Sequence, residues 1–342
     1  MQTDGLFDLQ VNGFAGVDFN DARLTADALD HALEAMAATG VTACLPTVIT
    51  ATADDLAARF AALDEAAAKS RLGAAMVPGY HLEGPFLNPA PGFRGCHPAQ
   101  AMAAPDIGLV DALQRRLKRP ILLVTLAPEL PGGAAFVRGA TARGIAVSIG
   151  HSDARPGSVA EAAAAGAALS THLGNGLAHQ IHKFDNPLMA QLAEDRLAAC
   201  FIADGIHLPP HALKVLMRAK GFERCILVTD AVAAAAAPPG LHPFAGFAVE
   251  RAQDGTVRLP GSATLAGSSL TLDQAVRNVA GWGICGFGTA VAMAGAHPRA
   301  ALAAGARHHG IALAPGRVLW TGDGRVAGTV LAGGLRISGR AA

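Results

Sequence analysis

Short, continuous apolar runs alternate with Ala-rich stretches of helical spacing along most of the chain. Leu6–Val11, Val41–Leu45, the segment that starts at Ala74–Val77 and runs into Tyr80–Glu83, Ile121–Leu126, Ile145–Ile149, Ala167–Ser170, Ala198–Ile202 and Cys225–Val228 read as eight strands. The stretches between them read as helices. Asp27–Thr39 carries Leu29, Leu33 and Met36 at helical spacing and stops at Gly40, and Thr52 is placed to cap a helix running through Lys69. Ile107–Leu117, Gly133–Arg143, Val159–Ala165, Leu188–Ala193 and His211–Arg218 complete the set. Strands that are apolar throughout, without alternation, are buried on both faces, as in a parallel sheet. Eight strand–helix units in succession predict an α/β fold, a (β/α)8 TIM-type barrel, with a doubly wound open sheet as the structural alternative.

After the eighth strand the rhythm breaks. Phe247–Arg251 and Thr256–Leu259 flank Asp254-Gly255, which predicts a hairpin insertion near 244–262. Helices are expected over Leu270–Ala280, Thr289–Ala294 and Arg299–Arg307, and short strands follow Gly310. The expected division is a barrel over 5–309 and a small C-terminal β remnant over 310–342, too short to fold alone.

Composition narrows the function classes. The chain has 342 residues, 51% of them hydrophobic and 16% charged, so a large core is easily built. A formal net charge of +0 without a basic block argues against a nucleic-acid surface or a polybasic membrane patch. No apolar run reaches the length of a membrane span. The N-terminal Met1–Gly5 lacks the basic and apolar regions of a signal peptide, and five scattered cysteines form no CxxC, so a cytoplasmic protein with reduced thiols is expected.

Polar residues collect just beyond the strands. Gln10 and Asn12 follow the first, Glu83 the third, His151 the fifth, His172 the sixth, His207 the seventh and Asp230 the eighth. In a barrel these tips share one mouth, where active sites lie. Glu83, at a strand end broken by Gly84-Pro85, could alone be a solvated loop acid, and a lone histidine is more often structural. Together they form a set able to hold a metal and move protons. A divalent metal on Glu83, His151 and His172 would lower the pKa of a bound water toward about 7. Asp230 is placed to take the proton and return it to a leaving group. Such a site suits hydrolysis of an amide or ester.

These stretches carry a family resemblance. Asp8-Leu9-Gln10-Val11-Asn12-Gly13, His81–Asn88, Gly150-His151-Ser152, Thr171-His172-Leu173, Ala203–His207, Val228–Ala231 and Leu265–Ser269 resemble, in order, the amidohydrolase superfamily and within it the N-acetylglucosamine-6-phosphate deacetylases. The resemblance implies a hydrolase acting on the N-acetyl amide of an amino sugar. It implies one divalent metal ion, zinc or iron(II), on Glu83, His151 and His172, because Gln10 and Asn12 stand where other amidohydrolases carry a His-x-His pair. Asp230 matches the catalytic acid/base, and His97 the histidine that polarises the substrate carbonyl. His207, Asn175 and Gly176, with Gln10 and Asn12, fall at substrate-contacting positions. The resemblance also implies a small-molecule substrate and a homodimer.

The run Gly174-Asn175-Gly176-Leu177 departs from the family's bulkier Tyr-Asn-Ala-Met, and the loop 178–187 lacks the family's phosphate-site arginine. Lys183 is the candidate replacement. The alternatives are the same chemistry on a different, unphosphorylated N-acyl or cyclic amide substrate, and an inactive metal-binding scaffold. His179 and His182 are weaker candidate ligands, and Gly267-Ser268-Ser269 could cradle an anion at a helix N-terminus or simply cap that helix.

Overall fold

The computed structural model describes residues 1–339; the end of the expected C-terminal remnant, 340–342, lies outside them. Eight parallel strands build the centre: β1 (Leu6–Val11), β2 (Val41–Ile49), β3 (Tyr80–Glu83), β4 (Ile121–Leu126), β5 (Ala146–Ile149), β6 (Leu169–Ser170), β7 (Ala198–Ile202) and β8 (Cys225–Val228). Each is hydrogen-bonded to its neighbour in sequence. β8 returns to β1 through a parallel bridge between Val11 and Ala231, with Asp230 N donating to Gln10 O at 2.9 Å and Asn12 N donating to Ala231 O at 2.7 Å. The ring is the (β/α)8 barrel that the apolar runs predict. All residues of β1, β2, β3, β4 and β8 are buried, because helices cover the outer face and side chains fill the interior.

Local chemistry sets the helix ends. The Thr52 hydroxyl accepts Asp55 N at the start of Ala53–Lys69, whose first turn is acidic and whose last residue is Lys69, an arrangement that suits the helix dipole. Asn186 caps Pro187–Ala193 in the same way. One expectation fails here. Ala74–Val77 is not the lead-in of a strand; Gly73–Met76 is a single helical turn, and β3 begins only at Tyr80. Four apolar residues lack the length to show a period, so the pattern could not separate helix from strand.

Three small sheets decorate the barrel among the described residues, the smallest pairing Gly13–Phe14 with Val17–Asp18. Gly240–Phe244, Phe247–Arg251 and Val257–Arg258 form an antiparallel insertion that begins before the expected position 244 and turns at Ala245-Gly246 as well as at Asp254-Gly255. Phe244, Val249 and Val257 pack with Ile49, Val232 and Ala266 in a buried cluster of their own, which sets the insertion beside the barrel mouth. The third sheet contains Arg317–Trp320, Val326–Val330 and Arg336–Ser338, and also Gln2–Asp4 from the start of the chain, antiparallel to Arg317–Trp320. The appendage is therefore built from both ends of the chain, where a purely C-terminal remnant was expected. No helix among the described residues is long and apolar enough to cross a membrane.

Candidate active site

The mouth of the barrel holds a cavity of about 770 Å³, lined on its floor by Asn12, Glu83, His97, His151, His172 and Asp230. Glu83 ends β3 and is buried, with the other polar groups converging on it. His172 Nε2 lies 3.1 Å from Glu83 Oε1, His151 Nε2 3.5 Å from the same oxygen, and His97 Nε2 3.8 Å from Oε2. Gln10 Nε2 donates to Glu83 Oε1 at 2.9 Å and to Asp230 Oδ1 at 3.2 Å. Asn12 Nδ2 donates to Asp230 Oδ1 at 2.7 Å.

The backbone aims these groups by a repeated device. His151 (φ 51°), His172 (φ 26°) and Asp230 (φ 49°), each just past the end of its strand, all have positive φ. L-residues rarely adopt this region, and each such residue costs on the order of 1–3 kcal/mol, held by surrounding structure. The bracing is visible. Asn88 N donates to His151 O at 3.0 Å. Glu129, beyond β4, accepts Asn88 Nδ2 (2.9 Å), Ser152 Oγ (2.7 Å) and Asp153 N (2.7 Å), which ties the loop after Glu83 to the turn after His151. Asn175 Nδ2 donates to His172 O, and Ser268 accepts from Val232 N, donates to Asp230 O through its amide and to Thr229 O through its hydroxyl. The hydroxyls of Ser268 and Ser269 go to Thr229 O and Gly255 O, so both brace turns, where an anion cradle or a helix cap was expected. Gly95 and Gly176 close on the His151 ring; a Cβ would lie 3.1 Å from Cε1 at the first and 2.8 Å from Nδ1 at the second.

Ring orientation matters for what the site can hold. His151 Nδ1 lies 2.7 Å from Phe93 O, which accepts its proton, so a ring with that single N–H would turn a bare Nε2 toward Glu83. His97 Nδ1 lies 2.9 Å from Thr50 Oγ1, and that hydroxyl donates to Glu83 O at 3.2 Å. In this arrangement His97 Nε2 also presents a lone pair. Ligand atoms of Glu83, His97 and His151 all lie within 4.8 Å of one another. Lone pairs facing one another around a buried carboxylate repel unless a cation sits among them, so the donor set fits a metal ion. The expected trio had His172 in place of His97. His172 instead contacts Glu83 directly, and its Nδ1 is buried without a hydrogen-bond partner.

The electrostatics separate the two carboxylates. Burial pushes Glu83 up, but its contacts with His151 and His172 and the field of His97 outweigh this and hold it well below the usual carboxylate range. Asp230 is pushed up to about 6 by burial and by the Glu83 charge. Burial and the neighbouring His151 push His97 down to about 3. His172 is raised, because its bond to Glu83 overcomes burial.

The remaining candidates fall in different places. His207 and Asn175 line the cavity, as does Gly176. His207 Nδ1 is held 2.6 Å from Asp204 Oδ2, and Asp204 Oδ1 accepts the amides of Ile206 and His207, so the ring is fixed from behind. Gln10, expected as a substrate contact, lies behind the two carboxylates and does not line the cavity. Lys183 is exposed and is likewise absent from the lining. His179 lines the cavity, whereas His182 is exposed and accepts the Asp185 amide at 3.0 Å, a loop-forming role. Sequence reasoning missed Thr50, Glu129 and Asp204. Asp204 stands in the same Ala203–His207 motif as His207; the other two carry no signal of their own, since their contacts depend on how loops fold. Arg94 also lines the cavity.

Comparison with known proteins places this geometry. No family model matches the chain. The chain is 33% identical over 277 residues to N-acetylglucosamine-6-phosphate deacetylase of Bacillus subtilis (strain 168), covering 80% of this chain and 68% of the relative. It is 34% identical over 293 residues to N-acetylgalactosamine-6-phosphate deacetylase of Escherichia coli O157:H7, covering 85% and 75%. A solved variant of N-acetyl-D-glucosamine-6-phosphate deacetylase from Mycobacterium smegmatis, in complex with N-acetyl-D-glucosamine-6-phosphate, superposes with a TM-score of 0.87 at 26% identity, covering 98% of this chain and 87% of that one. With its barrel and its strand-end acids and histidines, the chain belongs to the N-acetylglucosamine-6-phosphate deacetylase family of the amidohydrolase superfamily.

Proposed function

We propose that the protein is a metal-dependent deacetylase that hydrolyses the acetamide of a 6-phosphorylated N-acetylhexosamine. The observation that carries this reading is the buried carboxylate Glu83 surrounded by three imidazoles, with Asp230 beside it on the same cavity floor. One divalent ion would be held by Glu83, His151 and His172. The two histidines share the strand-end position and the positive φ, and the unpartnered Nδ1 of His172 leaves that ring free to adjust. His97 comes from a loop, where geometry is looser. Zinc and iron(II) both suit one carboxylate and two imidazoles. When bound, the ion supplies Lewis-acid activation of water and of the amide carbonyl.

The chain's own residues do the rest. Asn12 and Gln10 occupy Asp230 Oδ1, which leaves Oδ2 to take a proton from the attacking water and hand it to the leaving amine nitrogen. A pKa near 6 keeps Asp230 ionised at neutral pH while making it a stronger base than an exposed carboxylate. His97 polarises the acetyl carbonyl by donating from Nε2. It can do so once the Thr50 hydroxyl swings from Glu83 O to His97 Nδ1 and shifts the ring's proton to Nε2. His207, steadied by Asp204, and Asn175 and Gly176 line the space left for the sugar. The two relatives differ in the named sugar and agree on the 6-phosphate, which supports that substrate class. An unphosphorylated substrate is the second reading, and the exposed position of Lys183 favours it.

The test is the Asp230→Asn variant. It is expected to retain metal and lose roughly 10²–10⁴-fold in kcat on N-acetylglucosamine 6-phosphate, the contribution of a general base, toward the upper end because Asp230 serves both proton transfers. Turnover within tenfold of the parent, at equal metal content, would remove Asp230 from the chemistry.

A further inference from the structure

We propose that Arg94 is the residue that reads the substrate's phosphate, and that it sets the preference for a phosphorylated over a plain N-acetyl sugar. The inference rests on the deacetylase reading above and deepens it. Among the described residues that line the cavity, Arg94 is the one lysine or arginine. Its guanidinium has no hydrogen-bond or ion-pair partner among the described residues, whereas nearby Arg155 is tied to Asp153 at 3.0 Å and to Asp185 O. Lys183, the replacement expected from the sequence, is exposed and outside the lining.

Position makes the assignment specific. His97 N donates to Arg94 O at 3.1 Å, closing a turn that keeps the two Cα atoms within about 7 Å of each other. Gly95, between them, has φ 57° and lies against the His151 ring. The backbone of Arg94 is thus fixed to the acetyl-binding floor, and its side chain is exposed. The floor carries the carboxylates of Glu83 and Asp230, whose charge the divalent ion of the proposed mechanism would offset, and it offers no lysine or arginine to pair with a phosphate dianion. A substrate that puts its acetamide on the floor and its phosphate at the mouth meets both demands, and an unpaired guanidinium there matches phosphate oxygens with two parallel N–H donors.

The experiment compares metal-loaded parent, Arg94→Met, Arg94→Lys and Lys183→Met on N-acetylglucosamine 6-phosphate and on N-acetylglucosamine, and measures binding of the product glucosamine 6-phosphate by calorimetry. Arg94→Met is expected to raise KM for the phosphorylated sugar and weaken product binding roughly 10- to 100-fold, the worth of charge-assisted hydrogen bonds. Its kcat/KM for the plain sugar should stay within twofold, and Arg94→Lys should recover part of the loss. An equal loss on both sugars, unchanged discrimination in Arg94→Met, or a loss confined to Lys183→Met overturns the proposal. If the parent hydrolyses neither sugar, the deacetylase reading fails, yet the calorimetric comparison still decides Arg94: a parent that binds the sugar phosphate only through Arg94 upholds it, and equal or absent binding overturns it.

Discussion

Thr50 has no reactive chemistry of its own, yet the geometry makes it a sensitive point in the site. Its hydroxyl lies 2.9 Å from His97 Nδ1 and 3.2 Å from Glu83 O, and the residue is 1% exposed. Thr50→Val keeps the shape of the side chain and removes the only polar atom that both groups share. No water can easily replace a hydroxyl at a site this closed, so His97 Nδ1 is left buried and unpaired. That costs about 1–3 kcal/mol. Part of the cost falls on the folded protein and part on the reaction, because His97 has to present an N–H to a carbonyl oxygen whose negative charge grows toward the transition state. If the full amount falls on the reaction, kcat drops by a factor of about 5 to 150 with little change in KM. The assay is steady-state deacetylation at matched metal content, with circular dichroism melting to confirm that the variant is folded. Thr50→Ser, which restores the hydroxyl, should recover most of the rate. A Thr50→Val enzyme within twofold of the parent in kcat would refute the tautomer argument.

Two further outcomes follow from the geometry. His172→Ala is expected to lose stoichiometric metal, while His97→Ala keeps its metal and loses rate; elemental analysis of the two purified variants checks this, and the reverse result would assign the third ligand to His97. Asp8 is fully buried, and burial pushes its pKa up to about 7 against the bonds it accepts from the Thr229 hydroxyl and amide. A carboxyl raised in the fold favours the protonated state, so its contribution to stability is full below about pH 4 and is lost as pH rises through about 7. The parent should therefore lose more stability between pH 5 and pH 8 than Asp8→Asn does, as read by chemical denaturation at both values; parallel losses would show that Asp8 does not titrate there.

Much of the barrel can be read from the chain because a strand covered on both faces is largely apolar; β7 and β8 are so over their whole observed length, while β4 is interrupted only by Thr125 and β1 by Asp8 and Gln10. The acids and histidines at the strand ends were equally legible, since each interrupts an apolar run where the chain must turn. What the sequence hides is contact made between loops. The resemblance puts His97 at the site, but the run Arg94-Gly95-Cys96-His97 does not itself show that His97 comes within 3.8 Å of Glu83 or that Arg94 lines the same cavity. Glu129 follows β4 as an ordinary loop acid until Asn88, Ser152 and Asp153 are folded onto it. Lys183 shows the opposite error: a cation near the right place in sequence that the loop turns outward to solvent. Three residues at Gln2–Asp4 are too few to display alternation, so their place in the appendage was invisible.

The way the ring closes bears on when the protein becomes an enzyme. Seven of the eight barrel joints link strands that are neighbours in sequence, so they can form progressively as the chain is made. The eighth needs the first strand to wait for the last, across a separation of more than two hundred residues, and it is made by Gln10, Val11 and Asn12 meeting Asp230 and Ala231. The same residues deliver Asp230 to Gln10 and Asn12 side chains and set it beside Glu83. A partly assembled barrel can already carry Glu83 on β3, His151 after β5 and His172 after β6, the proposed metal ligands, but it lacks the joint that positions Asp230. In the proposed mechanism the base is therefore positioned only by the last joint, so turnover would require the closed ring even where the three metal-binding candidates are already in place.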